Sequence, residues 1–342
     1  MVKNLFRVIC VIVLFSFVYF PASANTNNSE IANSIDSLFK YLDKNVDKTK
    51  ANNMADWYYL CSARTGKEKD YSTYAKKLEK TNYINATDYQ RVALCLSSMG
   101  KDPQKFNNTN LLKSGIFNSN DIKNQGVNAI AYGLLAIDCK NYKTPKDAKY
   151  NREKLIKLLL TFQNSDGGFS LNGGASEIDS TAFALQALAP YKSAQKQKEK
   201  ALKYLAKMQN NKGGFDSSES VSQVIIALCE CRINLNKEFV KNGNTLISNL
   251  MSFKNKDGGF KHILEQNKSD NLASTQALCA LISYYRYKNS QKAFYDFSDG
   301  VKKIIKDEQQ FQNRSYIYII VFACGVASIV IILKKGVVKK WA

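Results

Sequence analysis

Glu177 and Asp179 stand two residues apart in the stretch Glu177-Ile178-Asp179-Ser180-Thr181-Ala182. Neighbouring carboxyls resist joint ionisation, so one of them can hold a proton where a lone carboxyl would be charged. Kept neutral and dry, such an acid can protonate an alkene, and aromatic faces can steady the resulting cation. Trp57, Tyr58, Tyr89, Tyr132 and Phe183 lie in apolar helical segments and are the candidate cavity lining. A structural reading competes with this one. Asp179 precedes the apolar run Ala182 to Leu188, and Glu219 and Asp270 precede the equivalent runs later in the chain. A side-chain oxygen at such a place caps exposed backbone N–H groups and faces the positive end of the helix dipole.

Other chemistries are narrower. The 342 residues include one His, His262, beside Lys261 in a turn, where an exposed side chain is expected. A single His excludes sites that need two or three imidazoles. Of eight cysteines, Cys10 and Cys324 lie in the apolar ends, leaving Cys61, Cys95, Cys139, Cys229, Cys231 and Cys279. Cys95, Cys229 and Cys279 each close an Ala-Leu-Cys triplet, as small core hydrophobes do. Cys229 and Cys231 point to different faces of a helix, so no metal site is expected.

These residues sit in a repeat. LIKLLLTFQNSDGGF (155–169), ALKYLAKMQNNKGGF (201–215) and LISNLMSFKNKDGGF (246–260) place Gly pairs at Gly167, Gly213 and Gly258, 46 and 45 residues apart. A fixed period of this size means stacked supersecondary units. Each unit reads as an amphipathic helix, a Gly pair whose first member takes the left-handed conformation at the helix C-cap, a Phe that folds back between helices, and a more apolar helix. The apolar helices are expected at Thr181–Leu188, Val221–Leu228 and Ser274–Leu281. In the first half, polar outer helices are expected at Ile31–Asn45, Asp70–Lys80 and Asn107–Ile116, and apolar inner ones at Ala55–Arg64, Thr87–Met99 and Asn128–Cys139. No strand pattern of useful length is present. The expected fold is all-α: six outer and six inner helices in an α6/α6 toroid, the apolar set innermost.

Both ends are of another kind. Lys3 and Arg7 precede the apolar run Val8 to Phe20, followed by small residues at Ala22 and Ala24. This pattern predicts a signal peptide over residues 1–24. Tyr316 to Leu333 is a run of 18 residues without a charge, followed by Lys334, Lys335, Lys339 and Lys340. It predicts a transmembrane anchor over 314–333 and a basic cytoplasmic tail over 334–342, with the toroid, residues 25–313, on the extracellular face. Without its two ends the chain keeps 42 basic and 29 acidic residues, a net charge of +13. A basic surface suits anionic polymers or lipid headgroups, although lysines spread over many segments read equally as solvated helix faces. Nothing points to nucleic acid, and a monomer is expected.

Gln163-x-x-Asp166-Gly167-Gly168-Phe169 and its two later copies resemble the repeat of the terpenoid cyclase and protein prenyltransferase toroids. The resemblance is closest to bacterial surface proteins of the prenyltransferase/squalene oxidase repeat type. Gly100-Lys101-Asp102-Pro103, Ala184-Leu185-Gln186-Ala187-Leu188-Ala189-Pro190-Tyr191, Ser222-Gln223-Val224-Ile225-Ile226-Ala227-Leu228, Phe239-Val240-Lys241-Asn242-Gly243 and Tyr284-Tyr285-Arg286-Tyr287 also fit, so the likeness runs from Ile31 to Asp299. It implies three chemistries. The transferases hold zinc with Asp, Cys and His from inner helices, a set this chain is ill equipped to supply. The cyclases use Asp-x-Asp-Asp followed by Thr-Ala; here Asp179 and Thr181-Ala182 match, Glu177 is conservative and the fourth position is Ser180. Cyclases of this class place substrate between two helical barrels, and this chain has length for one. Cobalamin carriers of the intrinsic factor and transcobalamin type share the toroid but clamp the ligand with a second domain. The expectation is a binding or scaffold module for a protein, glycan or lipid, without a cofactor. The alternatives are a cyclase-like enzyme using Glu177 and Asp179, or cobalamin binding.

Overall fold

The three Gly pairs do the same work in three places. Asn164 donates its N–H to the Gly168 carbonyl at 2.8 Å, Asn210 to Gly214 at 2.8 Å and Asn255 to Gly259 at 2.8 Å. In return Gly167, Gly213 and Gly258 donate to the carbonyls of those Asn residues at 3.0–3.1 Å. Their φ angles are +92°, +80° and +89°. The left-handed conformation expected of them is present, but its place differs. The preceding helices end at Thr161, Gln209 and Phe253, so each Gly lies four to six residues beyond the C-cap, inside a tight reversal. The reversal turns Phe169, Phe215 and Phe260 back into the core, where all three are buried.

The remaining motif residues hold this turn. Asp166 accepts from the Gly168 N–H at 3.0 Å and the Ser176 hydroxyl at 2.7 Å, and Asp257 repeats this with Gly259 and Ser269. The Gln163 amide donates to the Gly167 carbonyl and reaches the Gln197 carbonyl in the next repeat, both at 2.9 Å. Gln209 does the same with Gly213 and Phe239. The motif is thus a turn and a stitch between neighbouring repeats.

The computed structural model describes residues 22–300. The inner helices are α2 (Asn53–Arg64), α4 (Ala86–Ser98), α5 (Gly126–Asp138), α7 (Ile178–Leu188), α9 (Ser218–Glu230) and α12 (Asn271–Lys288). Each packs on the next in that order, and α12 packs on α2, which closes the ring. Outside them lie α1 (Ala22–Asn45), α3 (Tyr71–Leu78), α6 (Arg152–Leu160), α8 (Gln195–Met208) and α11 (Leu246–Ser252), with a short helix α10 (Leu235–Glu238) in the last third. The inner set is nearly all apolar, with Leu94, Ile130, Leu185, Ile225 and Leu281 at zero or near-zero exposure. The main core therefore lies between the two layers, and each fully buried aliphatic side chain there contributes about 1.5–3 kcal/mol.

One expectation about elements is corrected. The outer helix expected over 107–116 is a five-residue π-helical turn, Lys113–Phe117, seated on α4. It pairs a short surface segment with Gly115, whose bare Cα lets the turn lie against Tyr89. A two-residue hairpin, β1 (Val240–Lys241) and β2 (Asn244–Thr245), sits between α10 and α11 and turns through Asn242 and Gly243, both at positive φ.

Of the three acids expected to cap the apolar helices, one does. Asp270 caps α12, accepting from the Ala273 N–H at 2.8 Å. For α9 the capping oxygen is Ser217, which accepts from Ser220 N–H at 3.1 Å. Glu177 occupies the N-cap of α7 without a side-chain bond to the backbone. Asp179 and Glu219 are second residues inside their helices, where a carboxylate favours the dipole but is not the cap.

The signal peptide reading falls mainly on residues outside the described range, and the anchor and tail fall wholly outside it. α1 runs through the expected cleavage point after Ala24. Among the described residues no helix is long and apolar enough to cross a membrane.

Candidate functional site

The axis of the ring carries an aromatic cluster. Trp57 on α2 lies 6.0 Å from Tyr132 on α5, ring centre to ring centre, and Tyr132 meets Phe183 on α7 edge-on at 4.4 Å. Tyr295, from the segment after α12, completes the cluster at 6.4 Å from Trp57. Three of the five aromatics expected to line a cavity are thus brought together. The other two are placed elsewhere. Tyr58 is fully buried, donates to the Asp43 carboxylate of α1, and packs edge-on against Phe39. Tyr89 donates to the Tyr83 carbonyl at 3.1 Å and rests against the Tyr83 ring. Tyr295 lies outside any helical repeat. Its signal was the aromatic run Phe294-Tyr295-Asp296-Phe297 in an otherwise polar stretch just after the last inner helix.

Glu177 and Asp179 lie at the start of α7, at the end of the ring where the inner helices begin. Glu177 accepts from the Ser180 hydroxyl at 2.6 Å, and its backbone N–H donates to the Phe169 carbonyl at 2.9 Å. Thr181, matching the cyclase pattern, donates to the Glu177 carbonyl at 2.6 Å and accepts from the Phe169 N–H at 2.8 Å. Asp179 is one turn from Phe183 on the same helix face. It is exposed, yet its pKa is raised above the ordinary value. Desolvation is the main cause, a hydrogen bond with Ser220 opposes it, and the Glu177 charge adds to it.

Polar groups on the wall of the ring are largely tied to one another. Gln186 donates to Gln223 at 2.8 Å, and Gln223 donates to Gln276 at 3.1 Å, forming a belt across α7, α9 and α12. Asp56 is buried between Arg91 at 2.8 Å and the Tyr74 hydroxyl at 2.6 Å.

Where the inner helices end, a cleft of about 760 Å³ opens, lined by Leu135, Gln186, Glu230, Arg232, Lys292 and Tyr295 among others. Glu230 is held here with its pKa pushed up to about 7, burial being the main cause. Asp138, on the same rim, accepts from Arg152 at 2.6 Å and from the Tyr191 hydroxyl at 2.5 Å. The segment after α12 forms the far wall. It is anchored by Asp299, which binds Arg64 at 2.8 Å and also Arg286.

His262 is an exposed turn residue, as expected, and it is engaged there. Its Nδ1 lies 2.9 Å from a Glu219 carboxylate oxygen, and its carbonyl accepts from the Ser218 N–H at 3.0 Å, which ties the turn to α9. Among the described residues no three His, Cys, Asp or Glu side chains converge. The zinc set of the transferases would require His on an inner helix, and the one His here is in a loop and engaged by a helix-start carboxylate. These residues do not fit that metal.

The family model of the prenyltransferase alpha-alpha toroid domain matches residues 110–260 and 219–314, together more than half of the chain. No curated protein matches the sequence.

Proposed function

The chain belongs to the prenyltransferase alpha-alpha toroid family, and on that premise we propose that it is a non-catalytic binding module, held at the outer face of a membrane by its C-terminal apolar run. The observation that carries this reading is the state of the axis. Trp57 meets Tyr132 and Tyr295, Tyr132 meets Phe183, Phe183 and Tyr295 are 7% and 6% exposed, and Trp57 and Tyr132 are half-buried. These side chains reach across the ring from α2 to α5 and α7, where a cyclase would need room for an isoprenoid. Asp179 is open to water, whereas an acid that protonates an alkene must be dry. The repeat motif is consumed by turns and stitches.

Gly300, the last described residue, lies on the cleft side, and we read that side as the one nearer the membrane. With the run at 316–333 in the membrane, the ends of the inner helices look towards the bilayer and the turn face, with Asp179 and the Gly-pair loops, looks outward. That outward face is the partner surface, for a protein, glycan or lipid.

A second reading rests on one feature. Asp179 has a raised pKa and stands a helical turn from Phe183. This is the relationship a proton donor above an aromatic pocket would have. One experiment separates the two readings. The full chain is purified in detergent, molecules that co-purify are identified by mass spectrometry, and linear isoprenoids are assayed for cyclised products. The binding reading expects a co-purifying partner and no turnover. Turnover that disappears in a folded Asp179→Asn variant would overturn it and establish the enzyme.

A further inference from the structure

Cys61 and Cys279 belong to α2 and α12, the first and last inner helices, whose contact closes the ring. Their Sγ atoms lie 3.4 Å apart across a sequence separation of 218 residues. Both side chains are buried, with exposures of 0% and 6%. The other buried thiols have different surroundings: Cys139, for example, donates to the Ala136 carbonyl of its own helix at 3.2 Å. A helical core needs no paired sulfurs at its seam, since any small apolar residue would fill the space.

We propose that Cys61 and Cys279 form a disulfide that clasps the ring where its ends meet. The inference rests on the reading that the toroid lies outside the cell, where disulfides persist. Bond formation brings the sulfurs from contact to about 2.0 Å. The oxidant is a small-molecule or protein disulfide. One cysteine, as thiolate, attacks an oxidant sulfur, forming a mixed disulfide and releasing one oxidant thiol. The second cysteine, as thiolate, attacks the sulfur of the first, the Cys61–Cys279 bond forms, and the second oxidant thiol leaves. The cysteines lose two protons and two electrons, and the oxidant is reduced to two thiols. Inside the closed ring, burial and then the neighbouring Cys279 thiol push the Cys61 thiol well above its ordinary value. The exchange therefore belongs to the stage before α12 docks, when both thiols meet water. The bond then locks the α2–α12 contact that closes the ring.

The test uses the full chain from the membranes of cells that make it. Free thiols are trapped with N-ethylmaleimide at neutral pH, first in the folded and then in the denatured protein, which is digested without reduction, and peptides are identified by mass. The expected result is a peptide pair joined through Cys61 and Cys279, with Cys95, Cys139 and Cys229 alkylated only after denaturation. Reductant should lower the melting temperature of the wild type by several degrees and leave that of Cys61→Ala unmoved, a comparison that holds even if the variant is itself less stable. A link formed only when the purified protein is equilibrated with oxidised glutathione would support the clasp and count against the extracellular reading. Both cysteines remaining free after that equilibration, or either one joined to a different cysteine, would overturn the proposal.

Discussion

A carboxylate oxygen of Glu230 accepts the backbone N–H of Tyr295 at 3.1 Å, so the end of α9 holds the segment that carries the fourth ring of the axial cluster. The burial that makes this bond specific also makes the charged form costly, and the Glu230 pKa rises to about 7. The folded state therefore binds a proton that the unfolded state has released. Its contribution is full below the ordinary glutamate value of about 4.3 and is lost as pH climbs through about 7. Glu230→Gln keeps an oxygen acceptor and removes the charge. It should be more stable than the wild type by roughly 1–3 kcal/mol at pH 8, with no advantage at pH 4. Urea melts of both proteins at the two pH values check this, and an equal gain at both would refute it.

Asp299 presents the opposite case. Its own burial would raise its pKa, but the Arg64 hydrogen bond and charge, with those of Arg286, outweigh burial and hold it below the ordinary range. Its stabilisation is present above the unfolded carboxyl value and lost as pH falls through the depressed one. The two guanidiniums are 2% and 1% exposed, and Arg286 is pushed down to about 10 by burial and then by Arg64. Asp299→Ala leaves both cations facing each other without the carboxylate that pairs them. A loss of roughly 3 kcal/mol or more is expected at pH 7, read from denaturant melts. A loss under 1 kcal/mol would show that the network is solvated.

The three turn glycines should not be equal. A methyl group at Gly167 would meet the Lys200 carbonyl oxygen at 2.5 Å, and one at Gly213 would meet Asn244 at 2.6 Å. At Gly258 the nearest atom is the Ser37 oxygen at 3.1 Å. Positive φ alone costs an alanine about 1–2 kcal/mol. Gly258→Ala should stay near that figure, and Gly167→Ala and Gly213→Ala should exceed it. Thermal melts that rank Gly258→Ala as the worst would contradict the geometry.

The acids at the helix starts should separate in the same way. Asp270→Ala removes a cap and should cost about 0.5–2 kcal/mol. Asp179 is not a cap and its charge is disfavoured where it stands, so Asp179→Asn should be at least as stable as the wild type at pH 7. Its advantage should fade as acid protonates the wild-type carboxyl. Chemical denaturation of the two variants side by side decides the matter.

The helices and the repeat turn were legible because their determinants are local. Apolar spacing and the residues around each Gly pair act within a few positions of one another. Tyr58 illustrates the limit of such reading. It adjoins Trp57, and successive helical residues point about 100° apart, so only one of the pair can face the axis. Which one does is decided by Asp43 on α1, which captures the Tyr58 hydroxyl. The same holds for the capping residues: Ser217 and Glu219 are equally plausible from composition, and the backbone angle at the turn selects Ser217. The wall of the cleft was illegible for a stronger reason. Arg64 and Asp299 are separated by 235 residues, and nothing in either neighbourhood names the other.

The seam between α2 and α12 limits how such a protein can change. An open stack of repeats frays from its weaker end and tolerates gain or loss of a unit, because each repeat depends only on its neighbours. A closed circuit has no weaker end to release first, and every hairpin is flanked on both sides. Deleting one unit of about 45 residues would leave a gap that the remaining hairpins could fill only by bending more sharply. The number of repeats is therefore set by closure rather than by length, and variation is confined to what hangs from the rim.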